Sequence, residues 1–304
     1  MHAWEQIQKT VDYIEEHISE EISMEELAGL AALSPFYFQR LFSRLVKKPV
    51  MEYVRLRRMA RAAELLREDR RILDVALDVG LSSHEHFTRT FKETFGMTPE
   101  EYRKNPVTLN RMTKPQLALH YTMIDEGVPL VTDGIVLEIG RKTLAEAERF
   151  LGHTARMPVG FVDGLGVDSG VDPLETLWTS FHAEKEGLSA LLPGGGELGV
   201  SYPDEEGGYF RYFAGGQAQG DAPEGFDCWE LPAGRYIVCT FEAEHFEALV
   251  MDALYKAQQY LFGVWLPRHG LTTAPFCVER YASHGQGTTK MEIWVQPLEG
   301  GNKR

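Results

Sequence analysis

The 304 residues exceed one typical domain, and a hydrophobic fraction of 43% is enough for more than one core, so a two-domain chain is expected. No apolar run reaches the eighteen or so residues that cross a bilayer, and the N-terminus lacks a signal-peptide pattern, which excludes a membrane role and predicts a cytoplasmic protein. The net charge of −14 argues against a nucleic-acid partner until it is divided: residues 1–105 hold 16 Lys and Arg against 18 Asp and Glu, so the acidity belongs to the remainder.

Trp4, Ile7, Val11, Ile14 and Ile18 recur at three- and four-residue steps and predict an amphipathic helix covering a small helical core. Ser23 with Glu26 forms a capping box that opens a second helix, and Leu33-Ser34 turns into a third. Ser34 supplies the N-cap and Pro35 the first helical position. Phe38, Leu41, Phe42 and Leu45 then make one apolar face. Gln39, Arg40, Ser43, Arg44 and Lys47 fall on the other, and these groups hydrogen-bond base edges or neutralise phosphates. Helix, short turn, helix with a polar outer face is helix-turn-helix geometry. Across residues 34–61, Arg40, Arg44, Lys47, Lys48, Arg55, Arg57, Arg58 and Arg61 oppose only Glu52. That is either a basic patch for phosphates or a set of solvated helix faces.

Pro49 begins a long helix through Met59, Ala62 and Leu66. A short helix from Ile72 through Val79 ends at Gly80, a C-cap residue. Another starts at Ser82 or Ser83. Sliding the chain by 49 positions lays Ser34 on Ser83, Phe38 on Phe87, Arg40 on Arg89, Phe42 on Phe91 and Tyr53 on Tyr102. One helical unit is used twice, and a rigid linking helix would set the two into successive major grooves roughly 34 Å apart. His84 and His86, two apart on a helix, share no face and have no third ligand nearby, so no metal is expected there.

After Pro99 starts a last turn with Tyr102 and Arg103, the segment 105–108 breaks the helical pattern. Residues 117–121 read as a strand or arm. Strands are expected at 135–139, 199–202, 209–214, 235–242, 276–283 and 291–297. A short helix is expected at 143–150, capped by Thr143 with Glu146 and closed by Gly152. Another begins at Asp172 and presents Leu174, Leu177, Trp178 and Phe181 on one face. A long amphipathic helix carries Phe246, Leu249, Val250, Ala253, Leu254, Ala257 and Leu261. The order suggests a duplicated helix-strand module giving an α+β domain, with an antiparallel sheet and helices on one face. Cys228, Cys239 and Cys277, an odd number at wide spacings, match no zinc pattern and read as reduced core residues; no cofactor is expected. Gly164-Leu-Gly166 with Gly170 misses dinucleotide spacing, and no nucleophile elbow or phosphate loop is present.

The stretches Leu33-Ser-Pro-Phe-Tyr-Phe-Gln-Arg-Leu-Phe42, Asp74-Val-Ala-Leu-Asp-Val-Gly-Leu81, Phe87-Thr-Arg-Thr-Phe-Lys92 and Gly96-Met-Thr-Pro-Glu-Glu-Tyr-Arg103 resemble the AraC/XylS family of bacterial transcription regulators. The resemblance covers nearly all of residues 5–105. It implies an all-α domain with two helix-turn-helix units over residues 1–106, with promoter DNA and RNA polymerase as partners, in a monomer or homodimer. The base-reading positions it implies are Phe36, Gln39 and Arg40, then His84, Glu85, His86, Thr88 and Arg89, with Arg44 and Lys47 as further DNA contacts. Arg40 and Arg89 suit guanine O6 and N7, whereas Glu85 repels phosphate and suits only a cytosine amino group.

Leu177-Trp-Thr-Ser-Phe181, Leu231-Pro-Ala-Gly-Arg-Tyr-Ile-Val238, Trp265-Leu-Pro-Arg-His-Gly270, Glu279-Arg-Tyr281 and Met291-Glu-Ile-Trp-Val-Gln-Pro297 resemble the GyrI-like effector-binding domain. That places the domain at 134–300, after a linker and arm at 107–133. The resemblance implies an aromatic-walled cleft with a buried carboxylate facing a cationic or planar small molecule. Glu279, Tyr281, Trp178 and Trp294 are its candidates. Trp178 and Trp294 also read as core residues, and an ion pair of Glu279 with Arg211 or Arg235 would fit equally. The implied function is a DNA-binding regulator controlled by a small effector. The alternatives are a hydrolytic or ligand-sequestering GyrI-like module.

Overall fold

The computed structural model describes residues 3–117, 119, 122–132, 135–158, 170–281 and 288–298. The chain divides into two compact units, residues 1–118 with 166–172 and residues 119–165 with 173–304. No helix among the described residues is long and apolar enough to cross a membrane.

The first unit is helical: α1 Ala3–Glu16, α2 Met24–Leu30, α3 Pro35–Val46, α4 Val50–Leu65, α5 Ile72–Asp78, α6 His84–Phe95 and α7 Pro99–Lys104. Four of these start in one way. The side-chain oxygens of Ser23, Ser34, Ser83 and Thr98 accept from the backbone N–H of Glu26, Tyr37, His86 and Glu101, satisfying donors a helix start leaves open. The ends of α3 and α6 also correspond under the 49-residue shift. Gly96 adopts φ +81° after α6, and Lys47 takes the same left-handed conformation, φ +64°, after α3.

The helix α4 serves both copies. Its Val50, Tyr53, Val54 and Leu56 join Ile7, Val11, Ile14, Phe38 and Phe42 in one core. Its Met59, Ala62, Ala63 and Leu65 join Val75, Phe87, Phe91, Phe95 and Tyr102 in another. Two of the arginines predicted for the basic patch are spent on this packing. Arg57 pairs with Glu15 through Nε and Nη2 at 2.8 and 2.7 Å, and Arg58 donates to the carbonyls of Ile18 and Glu20. The patch is therefore narrower than the residue count implies, because a linking helix shared by two cores must anchor its polar side to the neighbouring turns.

Leu109 packs into the second core, and Met112 and Leu117 into the first. Residues 170–172 belong here too: Gly170 N–H donates to Thr94 O, and Asp172 N–H to Thr108 O. Leu117 and Leu119 have helical backbone and are buried, so they do not form the strand that was one of the two readings of 117–121. Within that stretch, residues 118, 120 and 121 lie outside the described residues.

Among the described residues the second unit holds nine strands: β1 Leu130–Thr132, β2 Ile135–Leu144, β3 Glu148–Pro158, β4 Glu197–Pro203, β5 Tyr209–Gln217, β6 Asp227–Leu231, β7 Gly234–Glu242, β8 Cys277–Tyr281 and β9 Lys290–Val295. They form one antiparallel sheet in the order β1-β2-β7-β9-β8-β4-β5-β3-β6. The helices are α8 Pro173–Glu184 and α9, residues 246–268, which runs through two π-helical segments at Leu249–Ala253 and Leu261–Trp265. The duplicated module is strand-strand-helix-strand-strand: β2-β3-α8-β4-β5 and β6-β7-α9-β8-β9. Around the central β8/β4 pair, β9 corresponds to β5, β7 to β3 and β2 to β6. The first strand of each module pairs in the other, β2 with β7 and β6 with β3. This exchange binds the modules into one sheet.

The helix expected at 143–150 is instead the end of β2 and the start of β3. Thr143 pairs with Arg235 and Phe150 with both Gln217 and Trp229, so long-range ladders override the local Thr-x-x-Glu pattern. The cysteines also divide. Cys239 is buried, but Cys228, on β6, is exposed and is not a core residue. Gly164 and Gly166, residues 282–283 of the predicted strand, and positions 133–134 and 299–300 lie outside the described residues.

Candidate nucleic-acid interface and ligand site

The core-facing residues of α3 are Phe38, Phe42 and Val46, and 3.6-residue periodicity puts Phe36, Arg40 and Ser43 on the opposite side. Phe36 and Tyr37 are 61% and 64% exposed, which is costly for aromatic rings without a partner surface. The Arg40 guanidinium lies over the Phe36 ring, 5.5 Å from its centroid. Gln39, Arg44 and Lys47 are exposed on the same helix and its cap. On α6, Phe87, Thr90, Phe91, Thr94 and Phe95 are buried, leaving His84, Glu85, His86 and Arg89 exposed. Thr88 departs from the prediction. It is half-buried and its hydroxyl is enclosed in the packing, so its polar atom is not presented on the outer face. His84 Nε2 lies 3.8 Å from Glu100.

These outward side chains contrast with the arginines of α4. Among the described residues, Gln39, Arg44, Glu85 and Arg89 make no side-chain hydrogen bond or ion pair. Arg55 donates to Thr94, Arg57 to Glu15 and Arg61 to Glu64. The available donors are thus concentrated on α3 and α6.

In the second unit, Glu279 is 6% exposed in the middle of β8. Its Oε2 accepts from the hydroxyls of Tyr212 at 2.7 Å and Tyr281 at 3.3 Å, and its Oε1 accepts from Gln258 Nε2 at 3.2 Å. Burial, and after it the Glu279 charge, push both tyrosines well above their ordinary pKa, so they stay neutral donors. Trp178 closes the cluster. Its ring meets Tyr281 edge-on at 5.3 Å, and its indole hydrogen-bonds the Tyr212 oxygen. Gly199 sits opposite Glu279 in the β4/β8 ladder, where a Cβ would overlap the Tyr212 hydroxyl. The strand glycine makes room for the hydrogen bond.

Of the four predicted residues, Glu279, Tyr281 and Trp178 meet. Trp294 does not. Ile293 is in register with Glu279, whereas Trp294 is opposite Val278 and packs with Tyr236 on the other sheet face. Strand alternation separates adjacent residues, and Trp294 fell one position out. Its ring lies beneath Arg280 and Lys142, at 4.6 and 5.4 Å. Arg211, offered as an alternative partner of Glu279, instead donates to Asp204 at 3.0 Å. Tyr212, Gln258 and Gly199 were missed. A glycine inside a strand pattern was the one available sign of a close approach.

Two register positions along from Gly199 and Glu279, the pair Ser201 and Cys277 borders a cleft of about 490 Å³. Its walls include Tyr202, Tyr209, Phe210, Phe262 and Phe276. Aromatic walls around a few polar groups suit a small planar molecule. Among the described residues no group of His, Cys, Asp and Glu is arranged to hold a metal.

Residues 27–105 match the helix-turn-helix domain family, and residues 142–297 match the GyrI-like small molecule binding domain. The uncharacterized HTH-type transcriptional regulator YbfP of Bacillus subtilis is 46% identical over 98 residues, 32% of this chain and 33% of that protein. The regulatory protein SoxS of Salmonella typhimurium is 37% identical over 98 residues, 32% of this chain and 92% of SoxS. The right origin-binding protein of Escherichia coli is 26% identical over 235 residues, 76% of this chain and 75% of that protein. The chain matches only a third of the length of YbfP but most of SoxS.

Proposed function

The chain belongs to the AraC-type helix-turn-helix transcriptional regulators that carry a GyrI-like small-molecule binding domain, and we propose that it is a one-component regulator, binding promoter DNA through α3 and α6 under control of a small effector. The observation that carries this reading is the pair of equivalent outward faces, each with an exposed arginine five residues past the first residue of its helix, Arg40 and Arg89. Arginine at that place reaches guanine O6 and N7 when the helix enters the major groove. Arg44 and Lys47 extend the contact to phosphates.

The effector reading rests on Glu279, Tyr212, Tyr281 and Trp178 beside the aromatic cleft. A bound molecule changes DNA affinity only to the extent that it favours one state of the protein, so the two bindings are linked in both directions. Turnover plays no part in this reading. The test is a thermal-shift screen of planar and cationic small molecules on the full chain. A molecule that raises the melting temperature should also change the affinity for promoter DNA, and Glu279→Gln should remove both effects. Hydrolysis of that molecule, lost in Glu279→Gln, would replace the reading with an enzymatic one.

A further inference from the structure

Residues 170–172 lie in sequence between two elements of the second unit, β3 and α8, yet belong to the first. They pair there with 108–110. Leu109 and Val171 face each other in an antiparallel bridge, flanked by Asn110 N–H donating to Gly170 O at 2.8 Å and Asp172 N–H donating to Thr108 O at 2.9 Å. The buried Asn110 side chain adds a bond from Nδ2 to Val171 O at 3.2 Å. Gly170 N–H donates to the Thr94 carbonyl at 3.1 Å, one of the last carbonyls of α6, which a helix leaves without an internal partner. Thr94 is also tied to α4, since its Oγ1 accepts from Arg55 Nη1 at 3.1 Å.

Pro173, the next residue, is the first of α8. Trp178, five residues on, closes the Glu279 cluster through the Tyr212 oxygen and the Tyr281 ring. Only helix separates residue 172 from that cluster, about 7.5 Å along the axis at 1.5 Å per residue, and no loop intervenes to absorb a movement. Resting on the regulatory reading above, we propose that residues 170–172 are a strap that carries the state of the Glu279 cluster to the end of α6. A change in the two tyrosines shifts Trp178, α8 moves as a rod, and the strap draws on Thr94 and with it on α6 and α4. The link runs in both directions, so DNA that fixes α6 also restrains Trp178.

The test is a double-mutant cycle on the full chain, read as affinity for a duplex enriched by in vitro selection. One arm perturbs the cluster by Tyr212→Phe or Trp178→Phe. The other loosens the strap by Asn110→Ala or by Gly170→Ala, where φ is +85° and a Cβ meets nothing within 4 Å, so that only the backbone conformation is strained. With the strap intact, each cluster variant should change specific affinity about fivefold or more. With the strap loosened, the change should fall below about twofold. Leu109 and Val171 are a non-hydrogen-bonded pair, the closest kind across an antiparallel ladder, and Leu109→Cys with Val171→Cys can close a disulfide there. Cys228 is exposed and is replaced by serine in this background. The oxidised pair should restore the full response in Asn110→Ala, because the disulfide stands in for the lost bond. Circular dichroism verifies that each variant is folded at the assay temperature. Equal responses with the strap intact and loosened, no response with it intact, or a response abolished by the disulfide overturn the proposal while DNA binding stands. Absence of any enriched duplex overturns the regulatory reading as well.

Discussion

Arg58 and Gly80 meet where the two helical copies are joined. Arg58 donates to the Gly80 carbonyl at 3.5 Å, and also to Ile18 O at 2.9 Å and Glu20 O at 2.6 Å. One side chain of α4 thereby ties the turn after α1 to the turn after α5. Gly80 adopts φ +74°, and a Cβ there would come within 2.8 Å of Ser19 O and 2.9 Å of Arg58 Nη2. Arg58→Ala should cost about 1–3 kcal/mol in urea unfolding, the value of charge-assisted hydrogen bonds to carbonyls. It should also let the protein tolerate a one-base-pair insertion between half-sites better than the wild type does. Gly80→Ala should act in the same direction.

The second anchor of α4 is the Glu15 carboxylate, which holds Arg57 through two hydrogen bonds and accepts from Tyr53 Oη at 2.6 Å. Burial works to lower the Arg57 pKa, and the Glu15 contacts outweigh it and hold it above the usual arginine range. Removing one partner strands a charge at a mostly buried site. Glu15→Ala should destabilise the chain by about 3 kcal/mol, read as a shift in the urea midpoint with the slope unchanged. A smaller loss in Tyr53→Phe would separate the hydrogen bond from the ion pair.

In the sheet, Gly199→Ala should displace Tyr212 from Glu279, because the added Cβ occupies the position of the hydroxyl. The expected result is a lower melting temperature together with loss of ligand-induced stabilisation. Tyr212→Phe removes the same hydrogen bond without the steric clash. If the hydrogen bond matters for the ligand, both variants lose binding, but only Gly199→Ala carries the larger loss of stability.

The pH dependence follows from the same cluster. Tyr212 and Tyr281 are held above the ordinary tyrosine value of 10.0 by burial and by Glu279. Near that pH the unfolded chain releases these protons and the folded chain keeps them. Their contribution is complete below pH 10 and is lost as pH rises. Glu197 behaves in the opposite sense. Burial works to raise its pKa, but His182 at 3.2 Å and Lys185 at 2.7 Å outweigh it and hold the carboxyl below 4.5. Its stabilising contribution is present above that value and fades as pH falls. Urea midpoints measured from pH 3 to 11 should decline at both ends. Glu197→Gln should flatten the acid limb, and Tyr212→Phe the alkaline one.

How much of this was legible in the residues depended on where the determining contacts lie. The helical half was readable because its determinants are local. Ser34 and Ser83 cap the helices they precede, and the spacing of Phe38 with Phe42 and of Phe87 with Phe91 marks the buried faces. The sheet was less so. Whether Thr143 ends a strand or caps a helix is decided by Arg235, far along the chain, and Trp294 could be placed only once its register against Val278 was known. The roles of Arg57 and Arg58 were hidden for the same reason, since their acceptors lie about 40 residues away. Glu279 and Tyr281 could be paired from alternation alone, but Tyr212 and Gln258 come from other elements.

The most direct test of the account is the affinity of the full chain for a selected duplex, compared with that of a variant carrying Arg40→Ala and Arg89→Ala. Both side chains are exposed, so the variant should fold with an unchanged melting temperature. Losing one guanine contact on each helix should weaken specific binding by about a hundredfold or more, leaving only salt-sensitive, sequence-independent association. Specific binding at wild-type affinity in the folded double variant would contradict the claim that α3 and α6 read DNA.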